Sequence, residues 1–250
     1  ILFLMQFSYS QAQEPWILEN DDMSPFQMIE SYDGGLIFAG LAPGSFQSGK
    51  VIKYDIKGNM LWEHTFDDDN DYMNIFGVVE DLNGDIIICG STFQYDTTYG
   101  DGFLARIDAC GNLIWFKVFG EDSVYNYTKH LVLGDNYTVY FNHIKGNSND
   151  DRFTLKHVDA DGDLLWSKQY FTNYGHNVNG VVKTIDKGFL LIGTIYIYPY
   201  FDSESPVNYL RSALVRTDSL GNELWTNIYR WEDDTPDSIQ ISSNGSVNQI

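Results

Sequence analysis

The sequence predicts an all-β fold assembled from repeated four-stranded units, and three observations lead there. One spacing recurs four times: an Asp, a Gly three residues on, then Asn or Asp, and a Trp seven residues after the first Asp. Its copies are Asp55-Ile-Lys-Gly58-Asn59-Met-Leu-Trp62, Asp108-Ala-Cys-Gly111-Asn112-Leu-Ile-Trp115, Asp159-Ala-Asp-Gly162-Asp163-Leu-Leu-Trp166 and Asp218-Ser-Leu-Gly221-Asn222-Glu-Leu-Trp225. A second motif accompanies it, reading Asp33-Gly-Gly-Leu-Ile-Phe-Ala-Gly40, Asn83-Gly-Asp-Ile-Ile-Ile-Cys-Gly90 and Asp186-Lys-Gly-Phe-Leu-Leu-Ile-Gly193, with a degraded copy at Asp135-Asn-Tyr-Thr-Val-Tyr-Phe141. Finally, Gly 22 against Pro 6, with 17 Tyr and 16 Phe, is a composition of strands and tight turns.

The second unit shows the expected elements in order. Tyr72–Glu80 forms a first strand ending at the Asn83-Gly84 turn. Asp85–Cys89 forms a second strand, whose continuous apolar run fits burial on both faces. Phe103–Asp108 is the third strand, the Gly111-Asn112 turn follows because both residues tolerate positive φ, and Leu113–Phe119 is the fourth. With Trp16 as the first, the Trp-to-Trp gaps are 46, 53, 51 and 59 residues. Four strands per repeat of that length is the signature of β-propeller blades. The predicted units are residues 23–70, 71–122, 123–173 and 174–232, with an orphan outer strand at 13–22 and a partial unit at 233–250. A fifth copy of the second motif begins at Ser243-Asn-Gly-Ser-Val247, so the sequence reads as part of a longer ring. Residues 1–12, apolar from Ile1 to Phe7 and then small and polar, read as the remnant of a secretory signal.

The Asp-x-x-Gly-Asn-x-x-Trp unit resembles the tryptophan-docking blades of quinoprotein-type (PQQ-like) propellers. In those, the Trp stacks on a neighbouring blade and the Gly lies four residues before it. Its pairing with Asp-Gly-Gly-x-Ile-x-x-Gly is similar to propeller repeats of secreted and surface proteins of the Bacteroidetes. The resemblance spans roughly residues 13–250 and implies a fold and an extracellular location, with little chemistry.

The net charge of -20 excludes a generic nucleic-acid binder, because phosphates would be repelled. No segment reaches the roughly 20 apolar residues of a membrane helix. Gly44-Ser-Phe-Gln-Ser-Gly49-Lys50 is one residue short of a phosphate-binding loop, lacks its Ser/Thr at Val51 and runs into a strand, so it reads as a linker. Asp159, Asp161 and Asp163 alternate as calcium loops do, yet the sibling turns put Lys57, Cys110 and Leu220 where Asp161 stands, so a plain turn is expected. The acidic run Asp67-Asp-Asp-Asn-Asp71 reads as solvated surface. Histidines 64, 130, 143, 157 and 176 show no metal-ligand spacing. Cys89 and Cys110 fall at opposite ends of the unit, about 20 Å apart along a strand, and are expected as free thiols. The repeated Trp62, Trp115, Trp166 and Trp225 are expected to pack between blades, whereas Tyr196-Ile-Tyr-Pro-Tyr-Phe201, in a long insertion, is the candidate recognition loop.

These features lead to an exported, monomeric, non-catalytic propeller that binds protein or glycan at the cell surface, with no catalytic, cofactor or metal residue assigned. The alternative is a loop-built hydrolase or lyase on the same scaffold, with or without calcium.

Overall fold

The computed structural model describes residues 23–43, 48–66, 71–94, 100–120, 125–135, 139–146, 153–170, 175–197, 209–229, 239–241 and 247–249. The predicted leader, the orphan strand at Trp16, the acidic residues 67–70 and residues 198–201 of the candidate recognition loop lie outside them.

Sixteen strands form four antiparallel sheets, each a meander in chain order. The first holds β1 (Ser24–Glu30), β2 (Leu36–Leu41), β3 (Gly49–Tyr54) and β4 (Met60–Phe66). The second holds β5 (Asp71–Glu80), β6 (Ile86–Gln94), β7 (Asp101–Ile107) and β8 (Leu113–Phe119). β9 (Tyr125–Leu133), β10 (Val139–Gly146), β11 (Phe153–Val158) and β12 (Leu164–Tyr170) make the third. β13 (Gly175–Lys183), β14 (Phe189–Ile197), β15 (Tyr209–Thr217) and β16 (Glu223–Tyr229) make the fourth, and β17 (Ile239–Ile241) pairs with β18 (Val247–Gln249) in a hairpin. The glycine-rich segment 44–50 does lead into a strand, β3.

The core lies between sheets rather than within one. Along β6, Ile86 and Ile88 pack toward the first sheet, while Ile87 and Cys89 pack toward the third with Leu104 and Val158. Successive side chains of a strand point to opposite faces, so a run apolar at every position is what a sheet covered on both sides requires. Each fully buried Ile contributes about 1.5–3 kcal/mol. A third cluster, Leu155, Tyr170, Val181, Phe189, Leu191 and Val215, joins the third sheet to the fourth.

The repeated turn residues each have a local task. Asp55 Oδ1 accepts the N–H groups of Lys57 and Asn59 at 2.8 Å, and the Asn59 amide donates to Asp55 Oδ2 at 2.9 Å. Asp108 and Asp218 repeat the arrangement, and hydrogen bonds from Asn59, Asn112 and Asn222 hold the three carboxyls below their ordinary range. The turn glycine meets two demands: Gly111 has φ 90°, and a Cβ there would stand 2.9 Å from the Trp62 ring. Trp62 Nε1 donates to Ala109 O and Trp115 Nε1 to Ala160 O, both at 3.0 Å, so each Trp docks on the turn of the next sheet, as expected.

The basic residue two positions before the repeated Asp neutralises the turn between the first two strands. Lys53 Nζ lies 3.1 Å from Asp33 and 2.9 Å from Glu80. Arg106 lies 2.6 Å from Asp81 and 2.8 Å from Asp85, and Arg216 pairs with Asp186. His157 takes this place in the third sheet with its ring 5.4 Å from that of Trp166, and burial lowers its pKa.

One sequence expectation needs correction. The second strand of the second unit runs on to Gln94 instead of closing at Cys89, so Gly90 and Cys89 are interior to it. Gly90 lets the neighbouring strand fold over it, and pairing resumes beyond, Asp71 to Ile75 matching Gln94 to Gly90. Cys89 and Cys110 are nevertheless both free, one buried and the other exposed, and burial pushes the Cys89 thiol up to about 12.

Candidate functional site

The first strands of the four sheets stand side by side, β5 touching β1 and β9, and β9 touching β13. Every one of them carries a bulge, four paired residues from the turn in β1, β5 and β13 and three in β9. The pairing of β1 with β2 skips Phe26, that of β5 with β6 skips Phe76, that of β9 with β10 skips His130, and that of β13 with β14 skips Asn179. Opposite each bulge is the last glycine of the second motif, Gly40, Gly90 or Gly193, with Asn142 in the degraded copy. The glycine has a steric cause, since a Cβ on Gly40 would fall 2.1 Å from Ser24 O and one on Gly90 1.8 Å from Asn74 O. A bulge of this kind re-aims a side chain out of the pleat, and bulges recur beside functional sites.

Three of these residues, Phe26, Phe76 and His130, line a cavity between the sheets. It measures about 450 Å³ and is lined by Phe26, Gln27, Phe76, Val78, His130 and Leu131, together with residues 180–182 and two of β14, Leu190 and Ile192. Small-molecule sites span about 300–1,000 Å³ and combine apolar walls with few polar groups. Phe26 and Phe76 stand with ring centroids 6.2 Å apart, and Phe76 meets Tyr127 edge-on at the same separation. The Lys129 ammonium lies 5.4 Å from the Phe76 centroid and 5.0 Å from that of Tyr127, a cation–π pair at the cavity wall.

The polar groups around it are fixed. Gln27 Oε1 accepts the Val78 N–H at 2.7 Å, giving a donor of the second sheet a partner from the first. Asn179 donates to Thr194 Oγ1 at 3.2 Å. Thr128, fully buried, accepts the Gly90 N–H at 2.9 Å and donates to Phe103 O at 2.7 Å, tying the third sheet beneath the bulge of the second. His130 has φ 56°, the left-handed region that costs an ordinary residue about 1–2 kcal/mol.

A second cavity of about 470 Å³ lies toward the turns, lined by Ile29, Glu30, Tyr32, Val79, Glu80, residues 131–133 and 181–183. Its buried acid, Glu80, is already engaged: it accepts from Lys53 Nζ, Ser31 Oγ and the Tyr32 N–H at 2.7–2.9 Å. This end is structural.

The residues singled out in the sequence do not meet at the bulges. Asp159 Oδ1 accepts the N–H groups of Asp161 and Asp163, and Asp163 pairs with Lys117 at 2.8 Å, so two of the three carboxylates hold a turn and an inter-sheet contact. Among the described residues no group of three or more His, Cys, Asp or Glu is placed to hold a metal ion. Tyr196 and Ile197 end β14, and the rest of that segment lies outside the described residues. Phe26, Phe76, His130 and Asn179 were missed, although each but His130 stands fourteen residues before a strand-two glycine.

No family model matches the chain, and no curated protein does. Solved structures do. An α-L-arabinofuranosidase of glycoside hydrolase family GH93 from Fusarium graminearum, solved with arabinobiose, superposes with a TM-score of 0.57 at 9% identity, over 92% of this chain and 71% of that one. A polysaccharide lyase, an ulvan lyase bound to a GlcA(1-4)Rha3S saccharide, superposes with a TM-score of 0.50 at 12% identity, over 84% of this chain and 57% of that one. A protein of unknown function from Dyadobacter fermentans gives a TM-score of 0.51 at 11% identity, over 81% and 63%. The likeness supports a propeller-type arrangement of the four-stranded sheets. The expectation of a non-catalytic binding domain is thereby corrected: enzymes acting on carbohydrate carry this fold, and the findings favour the hydrolase-or-lyase alternative.

Proposed function

We propose that the chain is an exported propeller enzyme, a hydrolase or lyase, that takes a saccharide in this cavity between its sheets. The observation that carries this reading is that the bulges of the first three sheets bring Phe26, Phe76 and His130 to one cavity. Two of the three are phenylalanines, whose rings offer apolar faces to sugar C–H groups, and His130 carries a hydrogen-bonding group for hydroxyls. A cavity of about 450 Å³ has room for one or two sugar rings. The carbohydrate-acting enzymes of similar fold support export, as does the apolar stretch Ile1–Phe7 read as a signal remnant.

The test is incubation of the purified chain with a panel of neutral and acidic polysaccharides, followed by assay of new reducing ends. Chain cleavage of at least one polymer is expected, with a rate that falls when Phe76→Ala is introduced. Absence of new reducing ends across the panel would overturn the proposal.

A further inference from the structure

The geometry points to His130 as the base of a β-elimination on a uronate-containing glycan, an inference that rests on the enzyme reading above and chooses within it. The composition of the cavity wall makes the choice. Among its described lining residues, His130 is the one side chain with an acid–base group, and none is a carboxylate. Glycoside hydrolysis ordinarily uses two carboxyl groups flanking the bond. The buried acids Glu80 and Asp81 are committed elsewhere, the first to Lys53 and Ser31 and the second to Arg106. Elimination needs one base, and a positive charge beside the sugar carboxylate.

Both are present and adjacent. The bulge turns His130 toward the cavity, and of the four bulge residues it is the one with a left-handed backbone, φ 56°. Lys129, the preceding residue, holds its ammonium over Phe76, a ring of the cavity wall. In a chain of net charge -20 a cation at this position attracts an acidic sugar locally against an otherwise repulsive surface. An imidazole nitrogen of His130 takes the proton from the carbon bearing the carboxylate. The electron pair of that C–H bond becomes the C4–C5 double bond, and the C4–O bond breaks. The departing oxygen keeps its bonding pair and receives the proton back from the imidazolium. No water, oxidant or reductant is consumed.

The experiment uses the full chain on alginate, pectate, an ulvan-type sulfated uronan and neutral arabinan, reading reducing ends and the ultraviolet absorbance of the unsaturated product in parallel. Absorbance rising with reducing ends on a uronan is expected. It should fall at least 100-fold in His130→Asn with the melting temperature kept, since Asn tolerates a left-handed backbone. Lys129→Gln should raise KM for the uronan with a smaller change in kcat. Reducing ends without absorbance would overturn this inference and leave the enzyme reading standing, as would absorbance undiminished in His130→Asn. Absence of cleavage on every polymer would overturn both.

Discussion

The two ends of the inner strands follow opposite rules. At the turn end, residue types repeat: an acid in the turn and a cation two residues before the repeated Asp in three of the four sheets, where the third has His157, and a glycine under a tryptophan. At the bulge end a bulge recurs in every sheet but the residue types do not, giving Phe, Phe, His and Asn. The repeated chemistry of the turn end serves packing, and the varied side chains of the bulge end are those the proposed function assigns to a ligand.

The largest effect is expected at the turn end. Removing Glu80 leaves Lys53 buried without its main partner, and Glu80→Ala should cost about 3–5 kcal/mol in urea unfolding. Replacing both, as Glu80→Leu with Lys53→Met, should recover most of that loss. A single-variant cost below about 1 kcal/mol would remove the distinction between a structural and a functional end. Next comes the backbone device itself. Gly90→Ala places a methyl 1.8 Å from a carbonyl oxygen and should cost about 3 kcal/mol, since the bulge over Phe76 must flatten or shift. An unchanged unfolding midpoint would show that the bulge does not depend on the glycine.

Phe76→Ala should sharpen the contrast, costing only about 1 kcal/mol of stability while raising KM for a cleaved polymer roughly tenfold. The smallest effect is a pH dependence at the outer surface. Lys187 and Lys183 hold the Asp135 carboxyl down to about 2. A depressed carboxyl stabilises the fold above its unfolded value near about 3.9 and loses that contribution as pH falls through the folded value. Asp135→Asn should therefore lower the melting temperature slightly at neutral pH, and the gap from the unaltered protein should close as pH falls toward about 2.

Much of the turn end was legible in the sequence, because its parts are set by spacing within a few residues: the Asp that accepts two N–H groups, the glycine at positive φ, the Trp. Their partners were less so. Glu80 meets Ser31 and Lys53 across separations of 49 and 27 residues, and nothing local announces that pairing. The bulge end was illegible for a different reason. A bulge breaks the alternation of a strand, so Phe26 and Phe76 read as ordinary members of an apolar pattern. Counting back fourteen residues from Gly40, Gly90 and Gly193 finds three of the four. His130 escapes even that rule, because its sheet has Asn142 for glycine and one residue fewer on each strand between turn and bulge, which moves the interval to twelve.

Thr128 gives the contact between neighbouring sheets a kinetic meaning. The Gly90 N–H, on the strand opposite the bulge, is held by a hydroxyl that belongs to the third sheet. Its exchange with solvent deuterium is then governed by separation of the second and third sheets, not by fraying of β6. That single amide reports how often the two sheets part beneath His130 and Phe76, and so how fast the shape of the cavity wall is able to fluctuate.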